Sequence, residues 1–234
     1  MKKTIAMVVL AGVGALAGLT WTDAAAQEAT PPPKGDIYML TTCPVSGEEL
    51  GSRGEPIIKS YGGREVRFCC EGCVSKFEAD KEAYWKKIDA AEIKEQKKLY
   101  PLDTCLVSGQ KLGSMGETVD KVYKNRLVRF CCGECPATFE KDPAKYLKKL
   151  DAAVIEKQKG SYPVKTCVVS GEKLGSMGDP VDYVAGNRLV RFCCKGCVKA
   201  FEADPQKYLS KLEKDSAPSR EDSSAVSFAW PVST

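Results

Sequence analysis

The stretch Val66-Arg67-Phe68-Cys69-Cys70-Glu71-Gly72-Cys73 recurs as VRFCCGEC at 128–135 and as VRFCCKGC at 190–197. A single cysteine precedes each copy by the same distance, with 25 residues between Cys43 and Cys69, and the whole pattern repeats every 62 residues. The three repeats use all 12 cysteines of the chain, four in each. Because random placement does not give identical spacing three times, we interpret the four-cysteine set as the structural and functional unit.

Each repeat has the sequence features of a small α+β module. Thr42–Gly47 and its equivalents (Thr-Cys-x-Val-Ser-Gly) predict a tight turn that ends in a glycine with positive φ. After a glycine-rich loop, two short alternating segments separated by Gly62-Gly63, Lys124-Asn125 or Gly186-Asn187 predict a β-hairpin. The expected fold class is therefore α+β. We expect three tandem modules at 38–99, 100–161 and 162–214, each arranged like a treble-clef zinc finger (knuckle, β-hairpin, helices), joined by helical connectors.

The second hairpin strand predicts which way the adjacent cysteines face. Alternation places Val128 and Phe130 on one face of the strand and Arg129 on the other. If the alternation continues beyond the strand, Cys132 lies on the Val128 and Phe130 face and Cys131 on the Arg129 face.

Two helices are predicted after the cysteine pair of each repeat. The first begins near the last cysteine, such as Cys135, and its positive end is expected to lower the pKa of a thiol there. Asp142-Pro143 and Asp204-Pro205 predict the start of the second helix, with Asp as N-cap and Pro in the first turn. This helix is expected to end near Lys97 in the first repeat and Lys157 in the second. Its apolar stripes are predicted to be Tyr84, Ile88 and Ile93, and Tyr146, Leu150 and Ile155.

The composition excludes several classes of function. The chain has no histidine, which excludes Ser-His-Asp and Cys-His catalytic triads and zinc sites that need imidazole. The formal charge of +4 comes without clustered basic residues and interleaved aromatics, so nucleic-acid binding is not expected.

The first residues have the features of a secretory signal peptide over 1–26. Lys2 and Lys3 precede an apolar run, and Ala24-Ala25-Ala26 supplies the small residues for cleavage near Ala26. An uncleaved N-terminal anchor is the alternative interpretation. We therefore expect a periplasmic or secreted protein, with a proline-rich linker at 27–37 and a disordered tail at 215–234.

A module of about 60 residues buries little apolar surface and usually needs cross-links, through metal or through disulfides. Thiolates favour Zn(II) or Cu(I), so we expect up to three such ions per chain. Four thiolates per ion is one possibility. A three-thiolate site that omits one of the adjacent pair is the other. The candidate ligands are Cys43, Cys69, Cys70, Cys73, Cys105, Cys131, Cys132, Cys135, Cys167, Cys193, Cys194 and Cys197.

The pattern of cysteines followed by Phe77, and then by Tyr84, resembles the TRASH and YHS domains, as do its equivalents in the other two repeats. The chain departs from these families at Ser46, where they commonly have Cys, and at Cys70, where they commonly have Ser. The resemblance implies a role in heavy-metal trafficking, resistance or sensing.

Three functions follow from these observations. The favoured one is an exported, non-enzymatic metal-binding protein for storage, delivery or detoxification, with a metal-delivery or membrane protein as partner. The alternatives are a disulfide-stapled scaffold for protein interaction, in an oxidising compartment, and a thiol–disulfide oxidoreductase that uses the Cys70-x-x-Cys73 spacing.

Three further sets of residues occur at equivalent positions in the repeats. Met115 and Met177 are expected to pack within their loops rather than bind metal. Ser46, Ser108 and Ser170 are expected to form hydrogen bonds in turns. Two interpretations stay open for Arg67, Arg129 and Arg191, which either offset thiolate charge or are ordinary strand-face residues.

Overall fold

The computed structural model describes residues 37–216. The predicted signal peptide (1–26), almost all of the predicted linker (27–37) and almost all of the predicted tail (215–234) lie outside these residues. Within them the chain forms three repeated α+β units, each a two-stranded antiparallel hairpin followed by two helices, which confirms the expected α+β class. The elements are β1 (Ile57–Tyr61), β2 (Arg64–Phe68), α1 (Glu71–Ala79), α2 (Lys81–Lys97), β3 (Val119–Tyr123), β4 (Arg126–Phe130), α3 (Cys135–Lys141), α4 (Pro143–Lys159), β5 (Val181–Ala185), β6 (Arg188–Phe192), α5 (Lys195–Ala203) and α6 (Pro205–Ser216).

The hairpins form where the turn residues predict them. In the second unit the register places Val119 opposite Phe130 and Tyr123 opposite Arg126. The two-residue turn between the strands has φ of 48° at Lys124 and 69° at Asn125. Positive φ at both central positions is the requirement of a type I′ turn, whose twist matches that of the flanking strands.

Each second helix begins at the predicted aspartate. The side chain of Asp142 accepts a hydrogen bond from the backbone N–H of Lys145 at 3.2 Å, and Pro143 is the first helical residue. Asp80 caps α2 in the same way, although lysine rather than proline follows it. The cap satisfies one of the N–H groups that have no partner within a helix. The helix ends at Lys97 in the first unit, as predicted, and at Lys159 in the second, two residues later than predicted.

Aromatic rings hold the first helix of each unit against its hairpin. Phe68 of β2 and Phe77 of α1 are both fully buried, with ring centroids 5.2 Å apart. Tyr84 of α2 lies 5.9 Å from Phe77 and joins the second helix to the same cluster. The equivalent pairs Phe130–Phe139 and Phe192–Phe201 lie at 5.6 and 5.3 Å. These rings fix the position of the helix start relative to the end of the hairpin, where the cysteines lie.

The second helix of each of the first two units packs on the hairpin of the next unit. Near the end of α2, Gln96 is buried, donates to the carbonyl of Asn125 at 2.7 Å and accepts from the N–H of Leu127 at 2.9 Å. Gln158 of α4 makes the same pair of bonds to Asn187 and Leu189, each at 2.8 Å. Each of the first two units is therefore joined to the next through hydrogen bonds from a glutamine side chain to hairpin backbone groups.

These junctions correct the predicted apolar stripe of α2. The buried residues of the helix are Ile88, Glu92 and Gln96, whereas Ile93 is only half-buried. Gln96 faces inward because the neighbouring hairpin presents backbone groups that need polar partners. Glu92 faces inward beside it and accepts from the Gln96 side chain and from the N–H of Met39. In the second unit Val154 occupies the position of Glu92 and is buried.

The first and third units are also in contact. Ile37 is buried in the same hydrophobic cluster as Phe192 and Phe201 of the third unit. The side chain of Gln206, in α6, donates to the carbonyl of Tyr38 at 2.7 Å. The beginning of the first unit thus completes the core of the last one.

Among residues 37–216, none of the helices combines the length and the apolar character needed to cross a membrane.

Candidate metal centres

Each repeat gathers three buried thiols into one cluster. The sulfur atoms within each cluster all lie within 4.8 Å of one another. The first of the three thiols comes from the turn before the hairpin, the second follows the last hairpin strand, and the third belongs to the first helix. The early cysteine, which lies far from the others in sequence, is therefore brought next to them in all three units. The clusters are Cys43, Cys69 and Cys73; Cys105, Cys131 and Cys135; and Cys167, Cys193 and Cys197.

The fourth cysteine of each repeat lies at the edge of its cluster and is half-buried. Sγ of Cys70 is 3.6 Å from Sγ of Cys73 and 3.9 Å from Sγ of Cys69. Sγ of Cys132 and Sγ of Cys194 lie 3.6 and 3.7 Å from the helix cysteine of their own units. All 12 cysteines belong to the described part of the chain, and each is a free thiol.

The adjacent cysteines face the opposite way from the sequence prediction. Cys131 is fully buried and Cys132 is half-buried, although strand alternation placed Cys132 on the buried Val128 and Phe130 face. The reason is that β4 ends at Phe130, so the alternation does not continue into the cysteine pair. In the first unit Cys70 is already the N-cap of α1, with φ −164° and ψ 163°.

The spacing of the sulfur atoms suits a shared metal ion. Tetrahedral Zn(II) with Zn–S bonds of about 2.3 Å requires sulfur atoms about 3.8 Å apart along each edge of the tetrahedron. The distances between Sγ of the paired cysteine and Sγ of the helix cysteine, Cys69–Cys73, Cys131–Cys135 and Cys193–Cys197, are 3.6, 3.8 and 3.7 Å. A disulfide bond is much shorter, at about 2.05 Å. The arrangement can thus accept a soft cation with little movement of the thiols.

The turn before each hairpin is built to hold a thiolate. The N–H of Gly47, with φ of 75°, donates to the carbonyl of Cys43 at 2.9 Å and closes the predicted tight turn. Burial disfavours ionisation of the Cys43 thiol, but hydrogen bonds from the backbone of Ser46 and Cys69 outweigh it and lower its pKa to about 7. In the other two units, against the same opposing effect of burial, the side chains of Ser108 and Ser170 and nearby backbone groups lower the pKa of Cys105 and Cys167 to about 6.

The expectation of a lowered pKa at the helix start is wrong for the buried helix thiols. Burial is the main cause that raises the pKa of Cys73 and of Cys197 to about 12, and hydrogen bonds with the neighbouring cysteines add to it. The pKa of Cys135 is raised for the same reasons. Desolvation and the nearby thiolate of the turn cysteine therefore outweigh the helix dipole when no cation is present. A bound cation reverses this balance by stabilising every thiolate of the cluster.

The serine of each turn has a second role that the sequence did not reveal. The expected turn hydrogen bond is present, because Oγ of Ser46 accepts from the N–H of Glu48 at 3.3 Å. The same oxygen lies 3.3 Å from Sγ of Cys69, which follows the hairpin in the sequence whereas Ser46 precedes it. The equivalent pairs, Ser108–Cys131 and Ser170–Cys193, lie at 3.2 and 3.3 Å. The recurrence of this serine at the equivalent position of every repeat was the sequence signal that could have revealed the role.

No known family model, curated protein or solved structure matches this chain.

The arginines at equivalent positions of the three repeats are strand-face residues that pair with carboxylates. Nε of Arg129 lies 2.7 Å from Asp120 on the neighbouring strand, and Arg191 pairs with Asp182 at the same distance. Arg67 is buried and lies 2.6 Å from Glu65. Their charge is thus taken up within the hairpins, which favours the strand-face interpretation over an offset of thiolate charge.

Met115 and Met177 do not pack within their loops, contrary to expectation. Their side chains are 63% and 66% exposed. The equivalent residue of the first repeat, Arg53, forms an exposed ion pair with Glu48 at 2.6 Å. The second repeat has Gln110 in place of Glu48 and the third keeps a glutamate, Glu172, but both have Met in place of Arg53 and therefore lack this ion pair. The loops of the repeats thus differ in chemistry although the clusters do not.

Proposed function

We propose that this chain is an exported protein that binds soft metal ions, Zn(II) or Cu(I), in three cysteine centres for storage, delivery or detoxification. The observation that carries the proposal is the sulfur–sulfur spacing of 3.6–3.8 Å within each cluster, repeated in three units. Thiols at this spacing match the edge of a tetrahedral four-sulfur site around an ion. Three such clusters would bind up to three ions per chain.

The surroundings of each centre support the binding of a cation. Four thiolates around one Zn(II) carry a net charge of −2, which a buried site must offset. Hydrogen bonds from the backbone of Ser46, Cys69 and Val45 favour the ionised form of Cys43 and supply part of that offset. The serine hydroxyl supplies a further donor to the second buried thiolate. Hydrogen-bonded ligands of this kind are a general feature of metal sites in proteins.

The order of the parts supports assignment to the TRASH and YHS type of domain, with a treble-clef arrangement. Within each unit a cysteine turn, a hairpin and a helix start follow one another and converge on one cluster. The sequence pattern of cysteines and aromatics was the basis for the same assignment. We place the chain in the periplasm or outside the cell on the basis of residues 1–26, and we assign it no catalytic activity.

Native mass spectrometry of the mature protein, purified without oxygen and reconstituted with Zn(II) or Cu(I), tests the proposal. The expected result is a species with three ions per chain. Free-thiol counting under denaturing, non-reducing conditions on protein from its own compartment should give 12 thiols per chain. Fewer than one ion per chain with both metals would overturn the metal-binding function. A thiol count near zero would establish the disulfide-stapled scaffold in its place.

A further inference from the structure

In each centre three thiols are buried and one is half-buried, and this division recurs at equivalent positions in all three units. Resting on the proposed metal-binding function, we propose that the half-buried cysteine is the exchange ligand through which an ion passes to a thiol-bearing partner protein. These exchange ligands are Cys70, Cys132 and Cys194.

The half-buried sulfur is close enough to the cluster to be a ligand. Sγ of Cys70 is 3.6 Å from Sγ of Cys73. Although Cys70 is the N-cap of α1, its side chain makes no capping hydrogen bond, and the same holds for Cys194 at the start of α5. The sulfur can therefore leave an ion without removing a cap from the helix.

The turn cysteine is poorly suited to this role. Cys43 is only 1% exposed, and Cys105 and Cys167 are fully buried. Release of an ion from this side would leave a buried thiolate behind without its cation, which costs more than release from a sulfur in contact with water.

A glycine leaves open the space beside the half-buried sulfur in two of the units. A Cβ added at Gly72 would lie 4.0 Å from Sγ of Cys70, and one added at Gly196 would lie 3.8 Å from Sγ of Cys194. In the second unit the glycine is Gly133, directly after Cys132, and a Cβ there would meet no atom within 4 Å. Side chains at Gly72 and Gly196 would therefore shield the exchange ligand, whereas one at Gly133 would not.

The transfer step is a ligand substitution without change of oxidation state. A thiol of the partner approaches from the solvent side and forms a metal–sulfur bond as the bond from the ion to Cys70 breaks. The proton of the incoming thiol passes, directly or through water, to Sγ of Cys70. The buried ligands then follow in the same way. A protein with two or more closely spaced thiols fits this sequence, because its second thiol replaces the next ligand at high effective concentration.

Transfer of zinc from the fully loaded protein to a synthetic Cys-x-x-Cys peptide tests the proposal, with native mass spectrometry recording the ions left on the protein over time. The wild-type rate should rise in proportion to the peptide concentration. In the double variant Gly72→Val/Gly196→Val, two of the three ions should leave about tenfold more slowly, equivalent to about 1.4 kcal/mol in the barrier. Gly133→Val is the matched control and should keep the wild-type rate.

A rate that does not depend on peptide concentration, or a double variant as fast as Gly133→Val, would overturn the exchange role. If the valine variants load fewer than three ions, the alanine variants at the same positions repeat the test, because their added methyl stands at an ordinary contact distance from the sulfur. Failure of the wild-type protein to load zinc at all would instead count against the proposed function.

Discussion

Oγ of Ser46 lies 3.3 Å from Sγ of Cys69, although the two residues are 23 positions apart along the chain. When Cys69 is a thiolate it has no proton to give, so the serine hydroxyl must be the donor in this contact. The same oxygen accepts from the N–H of Glu48, which fixes its direction. The Ser46 side chain thus stabilises the turn and orients the buried thiol of Cys69.

Replacement of this serine should weaken metal binding without removing the site. We expect Ser46→Ala to lower the affinity of the first centre for zinc by about tenfold, within the range that loss of a partner of a metal ligand causes. Competition with a chelator of known affinity measures this change. Ser52→Ala is the control, since its hydroxyl donates to the carbonyl of Glu49 in an exposed loop. Equal affinities for the two variants would show that the contact does not support the thiolate.

Substitution of a buried cysteine and substitution of a half-buried one should differ in their effect on the number of zinc ions bound per chain. Cys43→Ser removes a buried thiol that reaches the cluster from the turn, so zinc-reconstituted protein should carry one ion fewer than wild type. Cys70→Ser removes only the ligand at the edge and should keep all the ions, with a lower affinity at the first centre. Native mass spectrometry distinguishes the two outcomes. Loss of an ion in Cys70→Ser would make the half-buried thiol as essential as the buried ones.

Gln96 should contribute strongly to stability although it is a polar residue on a helix. Gln96→Ala removes the partners of two backbone groups of the next unit, the carbonyl of Asn125 and the N–H of Leu127. The loss of a partner costs a buried polar group about 1–3 kcal/mol. We therefore expect the free energy of unfolding in urea to fall by roughly 2–4 kcal/mol, depending on how well water reaches the groups. Lys94→Ala, at an exposed position of the same helix, should change it by less than about 0.5 kcal/mol.

Much of each unit could be predicted from its sequence because its signals are local. Turn residues such as Lys124-Asn125 and caps such as Asp142 act within a few residues, and the structure contains both where expected. The repeated spacing also predicted that the early cysteine of each repeat lies close to the later ones, as it does in all three clusters. The inward position of Gln96 could not be predicted, because its partners belong to the next hairpin and only the packing of units brings them close. The same holds for Glu92, which accepts from Gln96 and from the N–H of Met39, 53 positions earlier. The opposite exposure of Cys131 and Cys132 depends on where β4 ends, which alternation does not indicate.

The buried carboxyl of Glu92 should make stability depend on pH. Burial raises its pKa to about 8, from an ordinary value of 4.5, and among residues 37–216 only Gln96 and the N–H of Met39 donate to it. Arg64 opposes this rise, and Asp89 adds to it. In the folded protein the carboxyl therefore keeps its proton at pH values where the unfolded chain has lost it. The stability from this group is complete below about pH 4.5 and is lost as pH rises through about 8, at up to about 1.4 kcal/mol per unit.

Glu92→Val tests this dependence, because Val154 already occupies the equivalent buried position of the second unit. The difference in unfolding free energy between wild type and Glu92→Val, followed from pH 5 to pH 8, isolates the carboxyl from the titration of the thiols. Wild type should become less stable relative to the variant as pH rises. A difference that stays constant over this range would mean that the carboxyl is already ionised in the folded protein.

The contact of Ile37 and Tyr38 with the third unit has a consequence for the order in which the chain folds. Gln206 bonds to a carbonyl 168 positions earlier, so the core that contains Ile37 cannot close until the last helix has been made. Such distant pairings slow folding, because a long loop must be ordered before they contribute. The core that closes last contains Cys167, Cys193 and Cys197, whereas the buried cysteines of the first two units lie in clusters that do not include Ile37. The thiols of the third unit are therefore the last to be shielded in a newly made chain, and they stay open to incorrect oxidation for the longest time.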